Sequence, residues 1–151
     1  MALTEDQIRR YARHILLPDV GGTGQERLLG AAVTVPVGPG GDAAVAALAY
    51  LAAAGVGTLR LTGDPGGPLT AREQSGGILY GVSDVGRPRH EAIAERIRGI
   101  NPDVRVEAAD APAGVSLEVE SIGGEQPDVA AALALGGAAA ARTLAAILEG
   151  E

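Results

Sequence analysis

Apolar and polar positions alternate along the chain with two periods. Thr4-Glu5-Asp6-Gln7 has the form of a capping box, a threonine N-cap with glutamine three residues on. Ile8, Tyr11, Ile15 and Leu16 follow at helical spacing, so the pattern predicts a first helix over about 5–16, ended by Pro18. Residues 18–25 read as a glycine-rich turn, and Gln25 to Leu29 as a short helix. Ala31 to Val37 is nearly all apolar and of strand length, as in a parallel strand buried on both faces; Pro36 must interrupt its pairing. Gly38 to Ala43 is a turn that opens an alanine-rich helix, Ala43 to Ala54, stopped by Gly55 and Gly57. A second strand is predicted over Thr58 to Thr62, then a turn-rich stretch over Gly63 to Gly77. A helix over Pro88 to Ile100 begins at proline and stops at Asn101-Pro102. Val104 to Ala108 reads as a third strand, Ser116 to Glu120 as an edge strand and Gln126 to Leu148 as the last helix.

This order predicts an α/β fold: a Rossmann-like, open, mainly parallel sheet with flanking helices. With 151 residues, one domain over 1–151 is expected: a helical arm over 1–30, a nucleotide-fold core over 31–110 and a C-terminal segment over 111–151. The apolar run Ala130 to Ile147 holds Arg142 and a Gly-Gly pair, and reads as a buried or interface helix, not a membrane span.

Net charge is −7 and every cation is arginine. An acidic chain repels phosphate backbones, and three tyrosines are its whole aromatic content, so nucleic acid is not expected as a partner. Without cysteine there is no disulfide, thiolate zinc site or thiol nucleophile. Two distant histidines add no metal pattern, so no metal, zinc included, is expected. MALTEDQIRR has no apolar signal core, which predicts a cytoplasmic protein.

Strand, then Gly38-Pro39-Gly40-Gly41-Asp42-Ala43, then helix fits G-x-G-x-x-A in its proper context. Gly38 permits the tight turn, Gly40 lets a phosphate approach, and the helix N-terminus favours an anion. Pro39 removes one N–H, and Asp42 sets a carboxylate at the helix start, where it can cap the helix and repel phosphate. Two readings stand: a phosphate site, or a Rossmann turn kept for packing. Asp64 lies close to where an acidic residue would hold ribose hydroxyls, and it is equally at home as turn chemistry. His14 follows Arg13 and His90 follows Arg89; each histidine is a candidate base or a structural residue. Tyr80 could line a pocket or plug the core.

Three stretches carry a resemblance: LTEDQIRRYARHILLPDVGGTGQERLL at Leu3 to Leu29; V-G-P-G-G-D-A and A-G-V-G-T-L-R-L within Val33 to Leu61; and D-V-G-R-P-R to I-N-P at Asp84 to Pro102. In order and spacing they resemble the ThiF/MoeB-type adenylyltransferases, relatives of ubiquitin-activating enzymes. The last apolar segment resembles that family's late helix more weakly. The resemblance implies ATP-dependent activation of the C-terminal glycine of a ubiquitin-like sulfur carrier. It implies that Arg13 reaches a partner subunit's triphosphate and that Gly38, Gly40 and Gly41 form the nucleotide turn. Arg89 stands where the family has a phosphate-binding lysine, a change of shape and hydration. The family's acidic ribose residue falls on Gly63 or Asp64, and its N-x-x-R-Q run is answered only by Arg72 or Gln74.

The family's metal-binding aspartate is not recognisable; Glu120 and Asp110 are the nearby acids. Zinc cysteine pairs are absent, and the chain is expected to be a shortened member. Three functions follow. The first is a repurposed, catalytically silent protein that partners a carrier or a related full-length enzyme, in sulfur transfer or a specialised biosynthetic pathway. The second is new small-molecule chemistry in the old cleft, using Arg13, His14, Arg72, Asp84, Arg89 and His90. The third is retained ATP or AMP binding, with or without adenylation of a sulfur carrier. A homodimer, or a heterodimer with a full-length relative, is expected from the preserved first helix and from apolar surface bared on the sheet.

Overall fold

The computed structural model of the chain describes residues 2–119 and 129–150. Both bonds of the first capping box form: Gln7 N–H donates to Thr4 Oγ1 at 3.2 Å, and Thr4 N–H to Gln7 Oε1 at 3.1 Å. They start helix α1, Glu5–Arg10. The single helix expected over 5–16 is instead two, α1 and α2 (Ala12–Ile15), because Tyr11 leaves the helical region at φ −100°, ψ 16°. Its side chain turns inward and is 1% exposed. The stretch expected as a glycine-rich turn is mostly helix: α3 spans Gly21–Gly30. Glycine serves close approach there, since a Cβ at Gly24 would come within 2.9 Å of Leu148 Cδ2.

The sheet follows the expected reading. Strands β1 (Ala32–Val37), β2 (Thr58–Gly63), β3 (Arg105–Ala108) and β4 (Val115–Ser116) lie in the order β3-β2-β1-β4, every neighbouring pair parallel. Val35 of β1 pairs with Leu61 of β2, and Leu61 with Ala108 of β3. Pro36 is tolerated because of parity. Thr34 C=O accepts from Leu117 N–H on the β4 side, whereas Val37 C=O accepts from Asp64 N–H on the β2 side. The donor missing at Pro36 therefore faces β4, whose pairing has already ended at Thr34 with Ser116.

Val33, Val35, Val37, Leu59 and Leu61 form the apolar core with α4 (Asp42–Ala54) and α6 (Arg89–Ile100). The last helix, α7 (Val129–Glu149), crosses α4 closely: a Cβ at Gly136 would collide with the carbonyl of Ala43. By length and composition α7 could cross a membrane, with mean hydropathy 1.7, and one third of that window is buried inside the protein. The other face of the sheet carries Thr34, Arg60 and Glu107 in register, so the strands present polar groups where bared apolar surface was expected. Backbone of Ala113 straps that face, giving its N–H to Thr34 Oγ1 and taking the Thr34 hydroxyl on its carbonyl.

The turn-rich stretch 63–77 contains one more helix, α5 (Ala71–Gly76). The expected strand Ser116–Glu120 reduces to the parallel pair Val115–Ser116. Glu120 lies outside the described residues, as do positions 126–128 of the expected last helix.

Candidate functional site

Strand order reverses between β1 and β4, and ligands of open α/β sheets bind outside the carboxyl ends of strands at such a point. There β1 runs into a tight turn: Gly41 N–H donates to Gly38 C=O at 3.0 Å, Pro39 is the second residue and Gly40 the third, at φ +85°. That is the chemistry of a type II turn. A Cβ on Gly41 would stand 3.1 Å from Gly38 O, a tight contact. The turn thus spends one amide internally, and Pro39 offers none.

Asp42 is the first residue of α4; Gly41, not Asp42, is the N-cap, with no side-chain bond. Its carboxylate occupies the positive end of the helix dipole. Burial pushes its pKa up, against the charge of Arg72 and with that of Glu73.

The second capping box, Thr70 with Glu73, starts α5. Glu73 Oε2 accepts from Thr70 N–H at 3.0 Å and from the Thr70 hydroxyl at 2.7 Å. The same carboxylate receives Arg89 in a two-pronged pair, Nε to Oε1 at 2.6 Å and Nη2 to Oε2 at 3.0 Å. Arg89 Nη1 donates to Asp64 Oδ2 at 2.9 Å and to Asp64 C=O at 3.2 Å. Arg89 is 2% exposed and Glu73 4%. A Cβ on Gly67 would meet the Asp64 carboxylate and the Arg89 guanidinium, so a side chain there would push that pair aside. Desolvation alone would raise the pKa of Glu73; the hydrogen bonds from Arg89 and Thr70 outweigh it and hold the carboxyl below its ordinary value. The Tyr80 hydroxyl is buried with no hydrogen-bond partner among the described residues, and its pKa is pushed up chiefly by burial.

Asp84 organises the approach to α6. It accepts from Gly81 N–H at 2.7 Å, from Arg87 Nη1 at 2.9 Å and from Arg96 Nη2 at 2.8 Å. The loop then clamps the start of α6: Arg89 N–H donates to Gly67 C=O and His90 N–H to Pro65 C=O. His90 Nδ1 lies 3.1 Å from that same Pro65 carbonyl, which can only accept, so Nδ1 carries the proton.

Arg13 and His14 lie at the other end of the sheet. Their helix packs where β2 and β3 begin: Tyr11 sits against Gly55 and takes a bond from Asn101. Arg13 is exposed. His14 Nδ1 donates to Gln25 Oε1 at 3.0 Å, while Gln25 Nε2 donates to Ala54 C=O. Gly38, Gly40, Gly41, Asp64, Arg72 and Arg89 therefore gather at the carboxyl edge, with His90 beside them, and Arg13 and His14 do not join them within one chain. The site residue missed in the sequence is Glu73; Asn101 reads there as a helix stop and part of I-N-P, which does not foretell its bond to Tyr11. Glu73 had a signal, since Thr70-x-x-Glu73 is itself a capping box. Among the described residues no group of three or more His, Asp or Glu is arranged to hold a metal ion.

Known proteins share this architecture. The chain is 40% identical over 124 residues to the SAMP-activating enzyme E1 of Haloferax volcanii, covering 82% of this chain and 44% of that protein. It is 38% identical over 106 residues to the sulfur carrier protein ThiS adenylyltransferase of Escherichia coli, covering 70% and 41%. Among solved structures, PaaA superposes with TM-score 0.61 at 30% identity, over 70% of this chain and 36% of that one. The tRNA N6-threonylcarbamoyladenosine dehydratase TcdA of Escherichia coli superposes with TM-score 0.61 at 24% identity, over 73% and 44%, a likeness of fold. The chain spans less than half the length of each of these proteins. Residues 11–135 match the ThiF family, and the chain belongs to that family.

Proposed function

We propose that this ThiF domain does not carry out family-type adenylation by itself and acts as a partner protein, engaging a small sulfur-carrier protein or a related full-length enzyme. Relatives at 38–41% identity named as activators of sulfur carrier proteins support the choice of partner. One observation carries the reading of silence. Carboxylates of the chain stand at both places that would attract a phosphate: Glu73 and Asp64 hold Arg89, and Asp42 is the first residue of α4. The residues as they stand do not fit a triphosphate. Its oxygens would have to displace a buried two-pronged carboxylate from Arg89 and approach two further acids.

Pyrophosphate exchange with ATP, magnesium and a panel of ubiquitin-like carrier proteins tests this reading. No turnover is expected, and robust exchange would overturn it. Calorimetry with ATP and AMP measures retained binding separately. A one-chain catalytic site built from Arg13, His14, Arg89 and His90 draws no support from their placement at opposite ends of the sheet; a shared site would need two subunits.

A further inference from the structure

We infer that Glu73 is the residue that shuts the anion subsite at the carboxyl edge of the sheet, and that Arg89 behind it is built to grip an oxyanion once that carboxylate is neutral. The inference rests on the reading that the cleft does not take nucleotide phosphate as it stands.

The geometry is that of an internal stand-in. A guanidinium binds a carboxylate and a phosphate with the same fork, two parallel N–H groups meeting two oxygens. Glu73 supplies those two oxygens at 2.6 and 3.0 Å. Arg89 Nη1 is also tied to Asp64, which leaves Nε and Nη2 facing Glu73, and Gly67 leaves room for that pair. Asp64 in turn stands beside the turn after β1: a Cβ on Gly38 would lie 3.8 Å from Asp64 Cβ. Asp64 thus joins Arg89 to the turn that opens α4.

Glu73 is held from both sides. Two donors of Thr70 fix its Oε2, so the helix start that orders α5 also aims the carboxylate at Arg89. Asp64 plays a lesser part, since its side chain is 58% exposed and bonds one nitrogen only. Solvent weakens that pair, while the Glu73 pair is buried. Hence the charge of Glu73, more than that of Asp64, decides whether an outside anion competes.

Calorimetric titration of the full chain with inorganic pyrophosphate reads this. The wild type is expected to show no saturable binding at millimolar pyrophosphate. Glu73→Gln, which keeps shape and one acceptor, should bind at least about tenfold tighter. Asp64→Asn should change binding by less than about threefold. Adding Arg89→Met to Glu73→Gln should abolish the gain. A folded Glu73→Gln chain that binds no tighter than wild type overturns the inference, as does a gain that survives Arg89→Met. If Glu73→Gln does not fold, Glu73→Ala serves: it removes the charge and both oxygens that face Arg89, and a gain of at least about tenfold is expected. A folded Glu73→Ala chain that binds no tighter than wild type would then overturn it. ATP–pyrophosphate exchange by the wild type sinks the reading of a silent domain instead, and is scored independently.

Discussion

Asn101 Nδ2 donates to the hydroxyl of Tyr11 at 2.9 Å, across 90 positions of the chain. The same amide donates to Ala52 C=O at 2.8 Å, and the Tyr11 hydroxyl donates to Asp103 Oδ2 at 3.0 Å. Three segments meet there: the break between α1 and α2, the end of α4 and the turn into β3. The tyrosine of the N-terminal stretch and the asparagine of I-N-P, two of the residues that carry the family resemblance, are thus one structural lock. Asn101→Ala strips the Ala52 carbonyl and the Tyr11 hydroxyl of a buried donor, and is expected to destabilise the chain by about 2–4 kcal/mol. Tyr11→Phe keeps the ring and loses only the hydroxyl, for about 1–2 kcal/mol. Urea unfolding measures both. Values within those of an exposed control would show that the network does not hold the arm.

Periodicity made the central elements legible. β1 and α4 stand within one residue of their expected bounds, because an unbroken apolar strand and an alanine helix closed by glycine leave no competing pattern. α3 and α5 were hidden by composition. Gly21, Gly22 and Gly24 read as a turn, yet they open α3, and the bare Cα of Gly24 packs against Leu148. α5 is six residues long, too short for a helical stripe, and its one signal is the Thr70–Glu73 box. The pairing of Arg89 with Glu73 joins residues 16 positions apart on two different elements, which no local pattern encodes. The candidate site was therefore legible as a set of residues and not as a circuit of charges.

The crossing of α7 over α4 turns on one position of a Gly-Gly pair. A Cβ on Gly136 would stand 2.8 Å from Ala46 Cβ and collide with the Ala43 carbonyl, whereas one on Gly137 would meet Tyr50 at an ordinary 3.6 Å. Gly136→Ala is expected to destabilise by about 1–3 kcal/mol through overpacking. Gly137→Ala should stabilise by about 0.5–1 kcal/mol, through helix propensity alone. Thermal melts followed by circular dichroism compare them. Equal effects at the two positions would refute this crossing.

Two aspartates should respond to acid in opposite senses. Burial alone would raise the pKa of Asp84, but hydrogen bonds from Gly81 N–H and Arg96, with the Arg96 charge and a bond from Arg87, hold it below its ordinary value. Its stabilisation is whole above the unfolded value of about 3.9 and is lost as pH falls through the lower folded value. Asp84→Asn should therefore cost about 3 kcal/mol at pH 7, with the difference from wild type narrowing below about pH 4. Asp42 is raised, mainly by burial, so its charge opposes folding at neutral pH. Asp42→Asn should raise stability at pH 7, and that gain should fade as pH falls through the raised folded value towards about 3.9. Urea midpoints at several pH values separate the two. A gain from Asp42→Asn that grows in acid would contradict this assignment.

The last prediction concerns assembly. Leu16 is 82% exposed, Leu17 52% and Ile8 49%, all on the arm that carries Arg13. Beside that arm, α4 and α7 form a groove of about 550 Å³ whose lining is apolar save for His14 and the Tyr50 hydroxyl. Tyr50 itself is 46% exposed. Exposed apolar side chains on the arm and along the groove are better covered by a two-fold contact, which buries the same patch on both copies at once. Such a contact would also let Arg13 approach the carboxyl edge of another subunit. Light scattering at micromolar concentration should give twice the chain mass of 15.1 kDa. Leu16→Glu with Leu17→Glu should return the monomer without lowering the melting temperature of the fold, because neither side chain belongs to the core. A monomer mass for the wild type across a dilution series would remove the homodimer, and with it any role for Arg13 at a neighbour's cleft in a like pair. A mixed pair with a full-length relative would then be sought by co-purification of the two chains.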